Sequence, residues 1–264
     1  MAARAIWKGS LRFASESLPV KLYSAVEDRT IHFHVLETST MQRIKQQMVN
    51  PATGEALPKE QIQRGYEVER GTYVLLSEEE IAQSLPKESR DIDVKQFVPI
   101  GHIDQQWYDR PYFLGPDEEA PARYFAMAAA LANSKRLGIA HWVMRKKRYI
   151  GALTAENGYL LLVTIRHAEE VLTAKDLPRP GGGAPSAKEL KMAEDLVSAL
   201  QDDFRPEDYR DEYRERVMKF VEAKAQGHAP RLKLVPRKKE TKSLVTSLAA
   251  SISAAKRYRE KAVA

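Results

Sequence analysis

Residues 139–166, IAHWVMRKKRYIGALTAENGYLLLVTIR, decide the fold, because they predict consecutive antiparallel strands joined by short turns. Strand-favouring runs occupy Ile139–Met144 and Tyr149–Leu153, on either side of the basic run Arg145–Arg148. A third such run, Tyr159–Arg166, follows a Glu-Asn-Gly turn, and Asn-Gly between apolar runs is the strongest short-range signal for a β-hairpin. The stretch therefore predicts a β-meander whose first turn contains all four basic residues.

The basic turn lies near the centre of a long window without acidic residues. Residues 120–155 contain no Asp or Glu but seven Lys or Arg. A second acid-free window, residues 38–54, contains Arg43 and Lys45 among Gln and Asn side chains. Such segregation of charge favours a surface that binds a polyanion. An ordinary solvated face and a targeting signal remain the alternatives for the basic run.

The composition excludes several classes of protein. The 264 residues include no Cys, which excludes a disulfide framework, a thiolate zinc site and a Cys nucleophile. The six His show no metal-binding spacing, and no nucleophile elbow, Walker loop, Rossmann fingerprint or zinc-protease motif occurs. No apolar run approaches the ~18 residues of a membrane span, and the first residues lack the apolar core of a signal peptide. We therefore expect a cytoplasmic, non-enzymatic protein with no metal, cofactor or membrane association.

The N-terminal part of the chain predicts further strands. Trp7–Phe13 alternates apolar or small residues with polar ones, Val20–Ala25 follows a Pro, and Ile31–Val35 again shows a period of two. His32 and His34 in the last run are compatible with a metal site, but the outer face of a half-buried strand explains them better.

A polar segment interrupts this strand pattern. Residues 37–70 have few large apolar side chains and a Pro-Ala-Thr-Gly turn, and strand patterns resume at Thr72–Leu76 and Ile92–Val98. A long polar excursion between strands is uncommon unless it is functional or disordered, so we expect an arm that leaves the core. Helices are predicted from Ser77 to about Leu85, opened by a capping box, and from about Pro121 to Ala132.

The C-terminal third predicts helices. A Pro- and Gly-rich linker at 178–185 precedes a capping box at Ser186, and a second helix is expected from about Pro206 to Gly227. The bottom-up prediction is thus an α+β, mainly β protein that binds a polyanion.

The final segment, residues 228–264, carries ten Lys or Arg and two Glu. It predicts a flexible basic linker at 228–240 and an amphipathic helix from Ser243 to about Lys261, whose apolar positions suit docking to a partner. Folding back onto its own domain is the alternative. A membrane-surface helix is disfavoured because the apolar face lacks large aromatic side chains.

Five segments resemble the bacterial Ku family, the DNA-end-binding proteins of non-homologous end joining. They are RAIWKGSLRF (4–13), LPVKLYSAVEDRTIHFHVL (18–36), NPATGEALPKEQIQRGYEVERGTYVLLSEEEI (50–81), RPYFLGPD (110–117) and FRPEDYRDEYRERVMKFVEAKAQG (204–227). The resemblance covers nearly the whole chain and keeps the family's order of segments.

The resemblance implies a Ku-type β-barrel core over residues 1–180, with an arm at about 38–71 bridging over DNA. It further implies a helical region at 186–227 that contributes to a homodimeric ring around double-stranded DNA ends. The tail, 228–264, would recruit the ATP-dependent DNA ligase D, and the protein would be nucleoid-associated. A general nucleoid or RNA-binding protein without end specificity is the alternative function.

Two sets of site residues follow as expectations. Because broken ends have arbitrary sequence, the protein should contact phosphate and sugar without reading bases. The expected phosphate-binding residues are Arg43, Lys45, Arg64, Arg145, Lys146, Lys147 and Arg148. The expected ligase-docking residues are Leu244, Leu248 and Ile252.

Overall fold

The computed structural model describes residues 3–118, 121–178, 181 and 184–227, and the chain divides into two compact units after Asp176. The strands are β1 (Trp7–Phe13), β2 (Glu16–Ser24), β3 (Arg64–Glu69), β4 (Thr72–Leu76), β5 (Asp91–Pro99), β6 (Tyr108–Pro116), β7 (Arg136–Met144), β8 (Lys147–Glu156) and β9 (Tyr159–Ile165). The α-helices are α1 (Glu78–Gln83), α2 (Pro121–Ser134), α3 (Ala187–Ala199) and α4 (Glu212–Ala225).

Seven of these strands close into a β-barrel in the order β1-β2-β6-β9-β8-β7-β5. The meander predicted from residues 139–166 is confirmed as β7, β8 and β9, which pair antiparallel in sequence order. The barrel closes through a parallel pairing of β1 with β5, from Ser10 opposite Asp91 to Phe13 opposite Val94. This closure leaves the barrel without a free strand edge.

Alternating apolar side chains fill the barrel interior. The fully buried members of this core include Leu11, Val20, Leu22, Ile92, Leu114, Leu153, Leu160 and Leu162. They come from six different strands, so the core requires the closed barrel and cannot form from any single hairpin. Burying a Leu or Val side chain contributes about 1.5–3 kcal/mol each.

The two ends of the barrel differ, and we call them the helix end and the arm end. At the helix end lie the β1–β2 and β8–β9 turns and helix α2, which joins β6 to β7. The buried Tyr124 of α2 donates its hydroxyl hydrogen to the carbonyl of Leu114 and accepts the amide of Leu160 at 2.8 Å. At the arm end, β2 finishes at Ser24, β5 begins at Asp91, and β7 turns into β8.

The arm, residues 25–90, leaves the barrel after β2 and returns at β5. It is longer than the range 38–71, because the predicted strand Thr72–Leu76 pairs with β3 in a separate two-stranded sheet. Ser77 opens α1 with the predicted capping box.

The strand predicted at Ile31–Val35 is not formed, so this prediction is wrong. Its alternating pattern finds no neighbouring strand in the described part of the chain, and Phe33 is 68% exposed.

The second unit contains α3 and α4. Ser186 forms the predicted capping box with Glu189. Pro206 opens a short 3-10 turn, and α4 begins later than predicted, after the N-cap Asp211, whose carboxylate accepts the amide of Arg214 at 2.9 Å. The predicted linker 228–240, the predicted tail helix and the docking residues Leu244, Leu248 and Ile252 lie outside the described residues.

Candidate nucleic-acid interface

The turn between β7 and β8 contains two residues, because Met144 pairs directly with Lys147. Arg145 and Lys146 form the turn with φ of 51° and 63°, the pattern of a type I′ turn. The prediction that all four basic residues lie in the turn is therefore wrong, since Lys147 and Arg148 open strand β8. Because the turn is this short, β7 and β8 remain paired up to the two residues that flank it, Met144 and Lys147.

This turn is costly for the residues that form it. A left-handed backbone conformation costs an L-residue about 1–2 kcal/mol, and only Gly, Asn and Asp adopt it routinely. Arg145 and Lys146 are exposed and make no ion pair with any described residue. Strained positions of this kind cluster at functional sites, which is consistent with a turn kept for its two positive charges.

Lys147 and Arg148 point to opposite faces of the sheet, as adjacent strand residues must. The Lys147 ammonium lies 5.5 Å from the centre of the Tyr149 ring, on the face that lines the barrel. Tyr149 in turn stacks on the buried Trp142, with 5.4 Å between ring centres. Arg148 faces outward, so the basic run presents positive charge on both the inner and the outer face of the barrel at the arm end.

On the outer side, Arg148 lines an open cleft of about 360 Å³, which we call the outer cleft. Its charged and titratable members are Lys87, Asp91, Asp93, Lys95, His141 and Arg148. Asp93 pairs with Lys95 at 3.6 Å, and Asp91 pairs with Arg12 at 3.1 Å. The acids of this cleft are thus engaged by other cations, whereas Lys87 and Arg148 form no ion pair with any described residue.

His141 reports the electrostatics of the outer cleft. Burial lowers its pKa below the usual 6.5, the positive charges of Lys95 and Arg148 lower it further, and Asp93 acts in the opposite direction. The imidazole is therefore predominantly neutral near pH 7. Burial is the larger cause of this shift, and the contribution of Lys95 and Arg148 shows that positive charge lies close to the imidazole.

The predicted arm residues lie elsewhere on the first unit. Arg43 forms an isolated bridge with Leu36, Lys45 follows in the extended segment, and Arg64 begins β3. All three are exposed, and among the described residues none of them has an acidic partner within ion-pair distance. No described hydrogen bond or ion pair connects them to the basic run Arg145–Arg148.

Three basic residues at the arm end escape prediction from sequence. Lys87, Arg90 and Lys95 line the clefts beside the basic turn, but in sequence they alternate with Glu88, Asp91 and Asp93. A search for acid-free windows therefore passes over them. One signal was available, the strand pattern predicted from Ile92, which places residues 87–90 just before a strand.

The hairpin β3–β4 exposes apolar side chains on both faces. Tyr66 is 68% exposed, Tyr73 59% and Leu75 62%. This apolar surface is available for contact with another molecule. Within the described residues there is no group of three or more possible metal ligands. The described helices also include none with the length and hydropathy of a membrane span.

Comparison with known proteins gives a consistent result. The family model described as the Ku70/Ku80 beta-barrel domain matches residues 12–192. The non-homologous end joining protein Ku of Coxiella burnetii is 36% identical over 228 residues, which span 85% of this chain and 83% of the relative. That of Anaeromyxobacter sp. is 37% identical over 257 residues, spanning 97% and 87%. The Mycobacterium tuberculosis protein of the same name is 34% identical over 267 residues, spanning 98% and 97%.

Proposed function

The chain belongs to the Ku family, and from that premise we propose that it binds double-stranded DNA ends in non-homologous end joining, as a homodimeric ring that does not read sequence. One observation carries the proposal: the arm leaves and re-enters the barrel at the end where the basic turn projects. A duplex held beneath the arm would meet the cations of that end. The protein would protect and bridge the ends without catalysing their joining.

Contacts to the phosphate backbone would supply the affinity. We assign them to Arg43, Lys45 and Arg64 on the arm, and to Arg145, Lys146, Lys147 and Arg148 on the barrel. These side chains are exposed, and none has an acidic partner among the described residues, so each is available for a phosphate. Phosphate contacts are independent of sequence, which suits a protein that must accept any broken end.

A second copy of the chain would complete the ring. The helical region 186–227, with the exposed Val197 and Leu200, would contribute to the contact between the two copies. The exposed Tyr66, Tyr73 and Leu75 of β3–β4 supply further apolar surface that a monomer leaves in water. Covering it is favourable by about 25 cal/mol for each Å² of apolar area removed from water. A closed ring also limits lateral escape of the duplex, so individually modest contacts are sufficient.

Topology provides the decisive test. A linear duplex and a covalently closed circle of equal length are compared as competitors, with the mass of the protein measured in solution with and without a short duplex. We expect the linear DNA to compete far better and the mass to correspond to a dimer. Equal competition by the circle would instead support a general nucleoid or RNA-binding protein, as would effective competition by RNA.

Recruitment of the ATP-dependent DNA ligase D is assigned to the tail positions Leu244, Leu248 and Ile252, whose i, i+4, i+8 spacing is the support for this part of the proposal. Replacing the three by Ala should remove stimulation of the ligase while end binding persists. Stimulation that survives the replacement would exclude these side chains as the docking surface.

A further inference from the structure

The outer cleft lies where the returning arm joins the barrel. It is lined by Lys87 and Ser89 from the arm, Asp91, Asp93 and Lys95 from β5, His141, Trp142 and Val143 from β7, and Arg148 from β8. The hydroxyl of Ser89 accepts the amide of Asp91 at 3.0 Å, which fixes the last arm residues to the start of β5. A duplex held beneath the arm would therefore pass this cleft.

His141 faces both acidic and basic neighbours in the cleft. Strand register places it opposite Asp93 of β5 on one side and opposite Ile150 of β8 on the other. Arg148 lies two positions before Ile150 and so projects from the same face of β8. Burial is the largest cause of the lowered pKa of His141, and the charges of Lys95 and Arg148 lower it further. These two cations therefore oppose protonation of the imidazole.

The two acids of the cleft are already held by cations. Arg12 of β1 lies 3.1 Å from the Asp91 carboxylate and 3.9 Å from that of Asp93, and Lys95 lies 3.6 Å from Asp93. Lys87 and Arg148, by contrast, form no ion pair within the described part of the chain. An anion that enters the cleft would thus meet two cations that are available to it, while the charges of the acids are balanced.

A phosphate in this position would change the electrostatics at the imidazole. An anion within about 4–6 Å of a titratable base favours its charged form. The phosphate would also offset the charge of Arg148, which otherwise opposes protonation. Both effects favour the imidazolium, which can donate a hydrogen bond from each ring nitrogen. Among side chains that carry positive charge, only His ordinarily gains that charge between about pH 5 and 8.

We propose that one phosphate of the duplex backbone binds in the outer cleft between Lys87 and Arg148, beside His141, and that the imidazole takes up a proton when it does. This inference rests on the proposed DNA binding and deepens it, because it adds Lys87 and His141 to the phosphate contacts. A proton taken up on binding makes the affinity rise as the pH falls. The phosphate diesters themselves stay ionised, so the protein is the source of this dependence.

The first test compares the affinity for one linear duplex at pH 8 and pH 5.5, at constant ionic strength. Binding should be tighter at pH 5.5, by up to about 10-fold per protomer for each pH unit by which the phosphate raises the pKa of His141. The arm also contains His32 and His34, so the decisive quantity is the difference between the wild-type chain and His141→Gln. The variant should lose most of the gain. His167→Gln is the matched control and should keep it, because His167 lines a different cleft, with Trp107 and Ile165.

The second test follows the His141 ring by NMR titration, with the signal assigned by its absence in His141→Gln. The duplex should raise the pKa of His141, and sulfate at the same ionic strength should not. In Lys87→Gln the rise should be smaller, and the slope of log K against log salt should flatten by about 0.9 for each protomer that contacts the duplex. Should His141→Gln fail to fold in a thermal melt, the titrations of the wild-type chain and of Lys87→Gln decide.

Three results would overturn the inference: an equal pH dependence in the wild-type chain and His141→Gln, a His141 pKa that the duplex does not raise, or an equal rise produced by sulfate alone. Loss of binding to the linear duplex at every pH would overturn the proposed function itself. That outcome is distinguishable, because the first three are measured on a protein that binds DNA.

Discussion

Two turns of the same meander lie at opposite ends of the barrel and have the same backbone geometry. Asn157 and Gly158, at the helix end, have φ of 50° and 81°, and Arg145 and Lys146, at the arm end, have φ of 51° and 63°. Asn and Gly adopt this conformation at little cost, whereas Arg and Lys do not. The fold thus uses the residues best suited to the turn at one end, and accepts local strain at the other in exchange for charge.

The two ends also differ in packing and in the pairing of their charges, whereas left-handed residues occur at the helix end too, at Ala14 (φ 52°) and Lys135 (φ 50°). At the helix end, α2 closes the barrel, and burial raises the pKa of Tyr124 to about 12. Arg123 of α2 pairs with Glu16 of β2 at 2.5 Å. At the arm end, two open clefts separate the strands from the returning arm, and most cations there have no acidic partner among the described residues. The helix end therefore serves stability, and the arm end is available for a ligand.

The largest expected effect comes from neutralising the arm end. Replacing Arg145, Lys146, Lys147 and Arg148 by Gln should weaken DNA binding by at least about 10³-fold at 0.1 M salt, if all four contact phosphates. The slope of log K against log salt should flatten by up to about 3.6 for each protomer that contacts the duplex, because each lost contact removes about 0.9. Fluorescence titrations at several salt concentrations measure both quantities.

A matched control exists at the helix end. Lys135 and Arg136 belong to the same acid-free window but lie at the α2–β7 junction. Replacing both by Gln should leave the salt slope unchanged. If the slope flattens equally in both variants, DNA contacts the helix end as well as the arm end, and the proposed difference between the two ends is wrong.

The second effect concerns stability at the helix end. Tyr124→Phe should lower the free energy of unfolding by about 1–3 kcal/mol, because the buried carbonyl of Leu114 and amide of Leu160 lose a partner. DNA affinity should stay unchanged.

The same side chain predicts a dependence of stability on pH. Since the pKa of Tyr124 is raised in the fold, the stabilising contribution of Tyr124 is complete below pH 10 and is lost as the pH rises towards 12. Denaturant titrations of both proteins across this interval check the sign, and a parallel loss in the Phe variant would contradict it.

Exchange of the two turns should have a smaller effect. Arg145→Asn combined with Lys146→Gly should raise the free energy of unfolding by about 1–2 kcal/mol and flatten the salt slope by at most about 1.8 for each protomer that contacts the duplex. The reciprocal change, Asn157→Arg with Gly158→Lys, should lower stability by a similar amount and leave the slope unaltered. If the first exchange has no effect on stability, the strain assigned to the arm-end turn is absent.

The smallest effect is expected in the outer cleft. Because its pKa is lowered in the fold, His141 contributes stability that is complete above pH 6.5 and is lost as the pH falls through its folded pKa. Arg148→Gln should move that pKa part of the way back towards 6.5, since one of its causes is removed. NMR titration of the His141 ring measures the change. Arg136→Gln is the control, and an equal shift there would show that the coupling to Arg148 is not specific.

Much of the barrel was predictable because its signals are local. The meander, its Asn-Gly turn and the capping boxes at Ser77 and Ser186 depend on residues a few positions apart, and all of them are confirmed. Strand β3 was missed because it lies inside the polar segment 37–70, and its only large apolar residues, Tyr66 and Val68, are both exposed. The strand predicted at Ile31–Val35 failed for the opposite reason. An alternating pattern shows which face could be buried, but it does not supply a neighbouring strand.

The sequence by itself determined the mainly β class, the family and the acid-free windows, since each depends on the order of residues along the chain. Tertiary structure decided what the cations face. The parallel closure of β1 on β5 brings Arg90 beside Trp7, although 82 positions separate them in the chain. Strand alternation then places Lys147 inside and Arg148 outside, and the lone Gly9 allows the indole to lie at the arm end. Such contacts join segments distant in sequence, and only the closed barrel brings them together.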